Sequence, residues 1–307
     1  MEKVKALVRE MLRSGLVEGV LAPVKGLAEG DIFPSLITEE SEVDRIVLDS
    51  YYPFSLAKLA AKHLGKEMKV GLVGRTCDVR ALIELAKREQ VDLEQVYSIG
   101  IECEAGKFPF PWCQRCEYLL PSMADVSFYL DEAVSLNTKK GSELAPLTDA
   151  QVVETREMSK EAKERALKRQ EEDFGQLAQL EPEERLKYWF GYFDRCIKCY
   201  GCRNACPLCF CKDCYLQPHK LIVKPGGNPP DKLFHLIRLI HVGDSCLGCG
   251  RCEAACPMSI PISRLYHMLY KELFVVFHYE PGLDLSSLPP LGMITEEEMK
   301  EPGVELA

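Results

Sequence analysis

The sequence predicts two fold classes in one chain: an α/β N-terminal domain built on a parallel sheet, then an α-helical, cysteine-rich module. Two observations carry this expectation. Short apolar runs alternate with helical periodicity through roughly the first 130 residues, the pattern of a parallel α/β layer. Further on, CIKCYGCRNACP (Cys196 to Pro207) and CLGCGRCEAACP (Cys246 to Pro257) share one spacing, C-x2-C-x2-C-x3-C-P, and the residues between them are apolar at helical intervals. The expected divisions are an α/β domain over 1–145, a charged helical linker over 146–190, the cysteine-rich module over 191–272 and an extended arm over 273–307.

In chain order, Val4, Leu7, Val8, Leu12, Leu16 and Val17 define one buried helical face. Val17–Val24 then reads as a strand, and Arg45–Asp49 as a second short apolar run. Ser55–Leu64 has helical character and stops at Gly65. Val70–Val73 begins a strand, Asp78–Arg88 a helix, and Val96–Ile101 is one more strand. A Ser-, Asn- and Thr-containing loop, Ser135–Ser142, leads into the linker. There Lys160 with Glu164 and Glu161 with Arg165 form opposite-charge pairs four residues apart, as on solvated helices. The aromatic patch Tyr188, Trp189, Phe190, Tyr192 and Phe193 is expected to pack over the first cysteine run and keep water away. EPG, SLPPLG and EEEMKEPG mark the tail as an extended arm.

The repeated run is the one bacterial-type ferredoxins use to hold [4Fe-4S] clusters: three thiolates from one short loop, and a fourth that serves the neighbouring cluster. On that rule Cys196, Cys199, Cys202 and Cys256 hold one cluster, and Cys246, Cys249, Cys252 and Cys206 the other. Zinc needs only two C-x2-C pairs and has no use for a third cysteine at the same interval.

Cys77 and Cys103 follow predicted strands, at the carboxyl edge where α/β sheets place functional groups. Cys113 and Cys116 form a C-x2-C in the loop FPFPWCQRC. The spacing leaves two readings open, small buried apolar thiols or a third metal site. Cys209, Cys211 and Cys214 exceed what the paired runs require, and with His219 they make a candidate zinc set or three corners of another cluster.

Fifteen cysteines without an export signal point to metal ligands in a reducing cytoplasm. A net charge of -9 argues against a nucleic-acid partner, and no apolar stretch is long enough for a transmembrane helix. No nucleophile–base set or phosphate-binding glycine loop is present, so acid–base catalysis by this chain has little support.

GRTCDVRALIEL (Gly74 to Leu85), IGIEC (Ile99 to Cys103) and CQRCEYLLPSMADVS (Cys113 to Ser127) resemble, in that order, the beta subunits of deazaflavin-dependent hydrogenases and formate dehydrogenases. The resemblance covers roughly residues 68–130. It implies an iron–sulfur cluster on Cys77, Cys103, Cys113 and Cys116, beside a flavin such as FAD. Arg75-Thr76-Cys77-Asp78 departs from the family's Thr-Pro-Cys-Gln, and the paired runs follow this domain instead of preceding it. FHLIRLIHVGDSCLGCGRCEAACPMSIPISRL (Phe234 to Leu265) is similar to the helical dicluster modules of heterodisulfide-reductase small subunits. Together these imply an iron–sulfur electron-transfer subunit of a cytoplasmic oxidoreductase complex. Its partners would be a flavoprotein, hydrogenase, formate dehydrogenase or heterodisulfide-reductase-like subunit. The alternative is a flavin-dependent subunit that itself reduces a soluble coenzyme.

Overall fold

The computed structural model describes residues 2–64, 68–216 and 231–291. Helix α1 (Glu2–Arg13) buries Val4, Leu7, Val8 and Met11. The sheet and its helices follow: β1 (Gly19–Lys25), β2 (Ile32–Ile37), α2 (Leu56–Leu59), β3 (Val70–Arg75), α3 (Thr76–Lys87), β4 (Val96–Ile101), α4 (Pro111–Gln114), β5 (Val126–Phe128), β6 (Val134–Leu136) and α5 (Lys139–Glu143). Strand order is β2-β1-β3-β4-β5-β6. The four central strands are parallel, as expected, whereas the two edge strands run antiparallel.

Both edge strands are additions to the sequence reading. In β2, Pro34 faces Pro23 of β1; neither offers an N–H to the ladder, a pairing tolerated at a sheet edge. The apolar run at Arg45–Asp49 makes only a single bridge, Ile46 to Val24, because it leaves a 3-10 turn over Glu40–Arg45. The expected loop at Ser135–Ser142 is replaced by the end of β6 and by α5. Val134 and Leu136 alternate with Ser135 against Val126 and Phe128, and the Thr138 hydroxyl caps α5 by accepting from the Gly141 amide at 3.0 Å.

The linker forms α6 (Lys160–Ala178) and α7 (Pro182–Phe193). One stripe of α6 is not solvated: Gln170 and Asp173 are buried. Arg115 of the C-x2-C loop donates to Asp173 Oδ2 at 2.6 Å, and Gln170 donates back to the Arg115 carbonyl at 2.9 Å. A buried cation in the first domain has drawn a carboxylate from the linker.

The module comprises α8 (Gly201–Ala205), α9 (Asp231–Val242), α10 (Arg251–Ala254) and α11 (Ile262–Phe277). Apolar spacing carries α11 to Phe277, beyond the start of the expected arm at 273. The chain beyond α11 then meets α3, where Tyr279 Oη and the Gly282 amide both donate to Glu84 Oε1, at 2.5 and 2.7 Å. Gly65, His219, the KPGGNPP loop and 292–307 lie outside the described residues.

Alternation along the strands separates two apolar cores. Val20, Ala22 and Val73 face α1 on one side. Leu21, Val70 and Leu72 face the other, in a core shared with α3, α7, α9 and α11. The cysteine-rich module is therefore built onto the second face of the sheet. Among the described residues no helix is long and apolar enough to cross a membrane.

Candidate metal centres

Strand β3 ends at Arg75, so Cys77 falls in the first turn of α3, and Cys103 lies just past the end of β4. Helix α4 carries Cys113, with Cys116 immediately beyond. These four thiols line one cavity at the carboxyl edge of the parallel strands. The Tyr118 amide donates to Cys116 Sγ at 3.4 Å. Burial pushes Cys113 up to about 12 and Cys116 up to about 11, and raises Cys77 and Cys103 as well. The thiols are thus held neutral until a metal displaces the proton. Leu247, Gly248 and Cys249 of the module form part of the same cavity wall.

A second cavity is lined by Cys206, Cys246, Cys249 and Cys252, and a third by Cys196, Cys199, Cys202 and Cys256. Each of these cavities thus draws three cysteines from one run and one from the other. The two runs also share a backbone form: Lys198 and Tyr200 in the first, Gly248 and Gly250 in the second, all take positive φ, one residue either side of the second cysteine. For the non-glycine pair this costs on the order of 1 kcal/mol each. Left-handed residues among ordinary ones turn successive N–H groups to one side, the nest that receives anions. The runs approach so closely that a Cβ on Gly201 would lie 2.6 Å from the Ala255 carbonyl oxygen. Lys58 Nζ donates to the carbonyls of Arg203, Asn204 and Cys206, tying α2 to the chain that delivers Cys206.

Trp112 packs directly on Gly250, where a Cβ would fall within the indole ring, and φ there is +69°. Gly250→Ala should therefore cost at least about 2 kcal/mol through strain and displacement of Trp112. The thermal midpoint of the anaerobically purified variant measures this, and a midpoint equal to wild type would contradict it.

Four buried arginines line two of these cavities, Arg75, Arg80 and Arg251 the first and Arg238 that of the Cys246 set. Arg251 forms a 2.8 Å ion pair with Asp78 Oδ1 and lies 3.5 Å from Cys77 Sγ. Asp78 also accepts from Tyr52 Oη at 2.7 Å and from the Leu56 amide at 3.1 Å. Arg75 lies over the Tyr52 ring, its Cζ 3.8 Å from the centroid. Arg80 donates to the Pro281 and Leu247 carbonyls. Arg238 donates to the Cys202 carbonyl at 3.3 Å. Nε and Nη1 of both Arg238 and Arg251, and Nε of Arg75, are buried without a hydrogen-bond partner. Sequence reading missed all four. The available signals were Arg251 inside the CGRC segment and Arg238 on the apolar stripe Phe234–Arg238–Val242 of α9.

Cys209, Cys211 and Cys214 line a fourth cavity. Cys209 is held down at about 5, first by the hydrogen bond from Cys206 and then by Arg238. Among the described residues no group of three His, Cys, Asp or Glu side chains is arranged to hold a single metal ion. A cubane differs from a single ion in spreading its thiolates over four irons.

In the aromatic patch, Trp189 and Phe193 are buried in the shared core. Phe193 stacks on His235 at 4.4 Å between centroids, and His235 in turn lines the Cys196 cavity. The patch thus reaches that cavity through an intervening imidazole. Burial, reinforced by Arg238, pushes His235 down to about 4 from an ordinary 6.5. The unfolded chain takes up this proton at higher pH than the folded one. The stabilisation from neutral His235 is therefore complete above pH 6.5 and is lost as pH falls towards 4, by up to about 3 kcal/mol. His235→Phe should flatten the fall in thermal midpoint between pH 6.5 and 4.5; an unchanged profile would contradict the assignment.

An α/β domain with four thiols at its sheet edge, joined to a module with paired cysteine runs, defines a chain with several thiol-lined cavities. No family model matches the sequence. The chain is 31% identical to the F420-dependent formate dehydrogenase subunit beta of Methanocaldococcus jannaschii, over 94% of this chain and 93% of that protein. It is 28% identical to the F420-dependent formate dehydrogenase 1 subunit beta of Methanococcus maripaludis, over 94% and 92%. Sulfhydrogenase 2 subunit beta of Pyrococcus furiosus matches at 25% over 24% of this chain and 30% of that protein. A chain of the F420-reducing [NiFe] hydrogenase complex from Methanosarcina barkeri aligns with TM-score 0.41 and 16% identity, covering 60% of this chain and 85% of that one. The protein belongs to the family of F420-dependent formate dehydrogenase beta subunits. The resemblance seen over residues 68–130 thus extends across both halves of the chain.

Proposed function

We propose that this chain is the iron–sulfur electron-transfer subunit of a cytoplasmic F420-dependent formate dehydrogenase complex. In this reading it holds three [4Fe-4S] clusters on Cys77/Cys103/Cys113/Cys116, Cys206/Cys246/Cys249/Cys252 and Cys196/Cys199/Cys202/Cys256. The carrying observation is that twelve cysteines, drawn from distant parts of the sequence, sort by fours onto three cavities. Cys249 belongs to one set and stands in the wall of the next.

The residues suit an anionic occupant. Burial holds the four N-terminal thiols neutral, and guanidinium N–H groups without protein partners stand at that cavity and at the one lined by the Cys246 set. Such clusters supply one-electron storage, at potentials governed by net charge, hydrogen bonding and burial. The chain's part is to hold them, to place positive charge beside them and to exclude water with Trp112, Tyr52 and the Phe193–His235 stack. Cys199 is exposed, which brings the Cys196 set to a surface open to a partner subunit.

A second reading has its own observation. Another cavity, at the carboxyl ends of β4 and β5, shares Arg75 and Cys103 with the first. Its position supports the reading in which FAD binds beside the N-terminal set and this subunit itself reduces a soluble coenzyme. Cys209, Cys211 and Cys214 remain a proposed additional site for another cluster, these three not being arranged to hold a single zinc ion.

Iron, sulfide, zinc and flavin determination on the anaerobically purified chain tests the proposal. About twelve irons with matching sulfide are expected, and bound FAD would favour the second reading. Protein replete with zinc and lacking sulfide would overturn both.

A further inference from the structure

We propose that Arg238 is the counter-ion of the Cys206/Cys246/Cys249/Cys252 site and raises the reduction potential of the cluster held there. This rests on the reading of that set as a cluster site.

Arg238 is only 2% exposed, yet among the described residues no carboxylate pairs with it. Its protein contacts are Nη2 to the Cys202 carbonyl at 3.3 Å and to Cys209 Sγ at 3.8 Å, while Nε and Nη1 have no partner. It lines the cavity of the Cys246 set, as does Tyr266, whose hydroxyl is also buried and unpartnered. Among the described residues the one anionic neighbour of Arg238 is Cys209 Sγ, reached only by Nη2 at 3.8 Å, and a buried charge so weakly paired calls for a further opposite charge close by. The cavity these donors line therefore calls for an anion.

Arg251 provides the internal comparison. It too stands beside Cys249, but Asp78 neutralises it at 2.8 Å. A cluster gains negative charge on reduction, so a bare cation nearby stabilises the reduced form more than the oxidised one. In a low-dielectric interior that difference is large. The effect of Arg238 should exceed that of the Arg251–Asp78 pair.

The test is an EPR-monitored redox titration of the full-length chain, purified anaerobically, as wild type, Arg238→Gln, Arg238→Lys and the double variant Arg251→Gln/Asp78→Asn, with iron and sulfide measured on each. In Arg238→Gln the Cys246-set cluster should become harder to reduce by at least tenfold in its equilibrium, about 59 mV. Arg238→Lys should stay within that limit of wild type. With iron unchanged, equal potentials in wild type and Arg238→Gln would overturn the proposal, as would a larger shift in Arg251→Gln/Asp78→Asn, which removes the whole pair. If Arg238→Gln does not load, Arg238→Lys decides. Loading near the wild-type potential supports the need for charge, and failure of both variants overturns it. Absence of iron from the wild type would instead refute the underlying cluster reading.

Discussion

Replacing Cys206 by Ala should remove about four of about twelve irons, and the loss should fall on the Cys246 run, not on the run that contains Cys206. Helix α8 ends at Ala205, and the chain turns at Cys206 into extended backbone, φ -69° and ψ 126°. That turn carries Cys206 out of the Cys196 cavity and into the one lined by Cys246, Cys249 and Cys252. Cys256 makes the reciprocal crossing. Lys58, bound to the Cys206 carbonyl at 2.8 Å, anchors the backbone independently of the thiol, so the variant should still fold. EPR of the reduced variant should retain the signal of the Cys196 set. Loss of that signal alone would require the ligand sets to be redrawn.

Asp78→Ala should be the most destabilising single change away from the thiols. It strands the Arg251 guanidinium in the interior, a defect worth about 3–5 kcal/mol, and removes the acceptor for Tyr52 Oη and the Leu56 amide. A fall in thermal midpoint on the order of 10 °C is expected for a chain of this size. Pairing the change with Arg251→Met should restore part of the loss, since both charges then leave together. If the double variant is no more stable than Asp78→Ala, the ion pair is not the source of the effect.

The alternation of apolar runs made β1, β3, β4 and their parallel order legible, because strands buried on both faces read as continuous Val, Ile and Leu. The edge strands were not legible. Strand β2 is only partly buried and contains Pro34, and β6 is three residues long. Cysteine spacing suggested the two crossed sets, since each run repeats one known ligand pattern. The meeting of Cys77 and Cys103 with the C-x2-C pair depends on sheet topology: their places at the carboxyl edge made it a candidate beside the reading as small buried thiols, and the family resemblance favoured it. Asp78, a departure from the family pattern, became intelligible only with Arg251 of the module beside it. The solvated linker expected from α6 overlooked Asp173, one acidic residue among many until Arg115 is buried against it.

The central claim is that the N-terminal thiols hold a cluster alongside the two of the module. Iron per chain in anaerobically purified wild type and Cys103→Ala measures it most directly. About twelve falling to about eight, with the Cys196- and Cys246-set signals intact, is the expected result. Equal iron in the two proteins would contradict it.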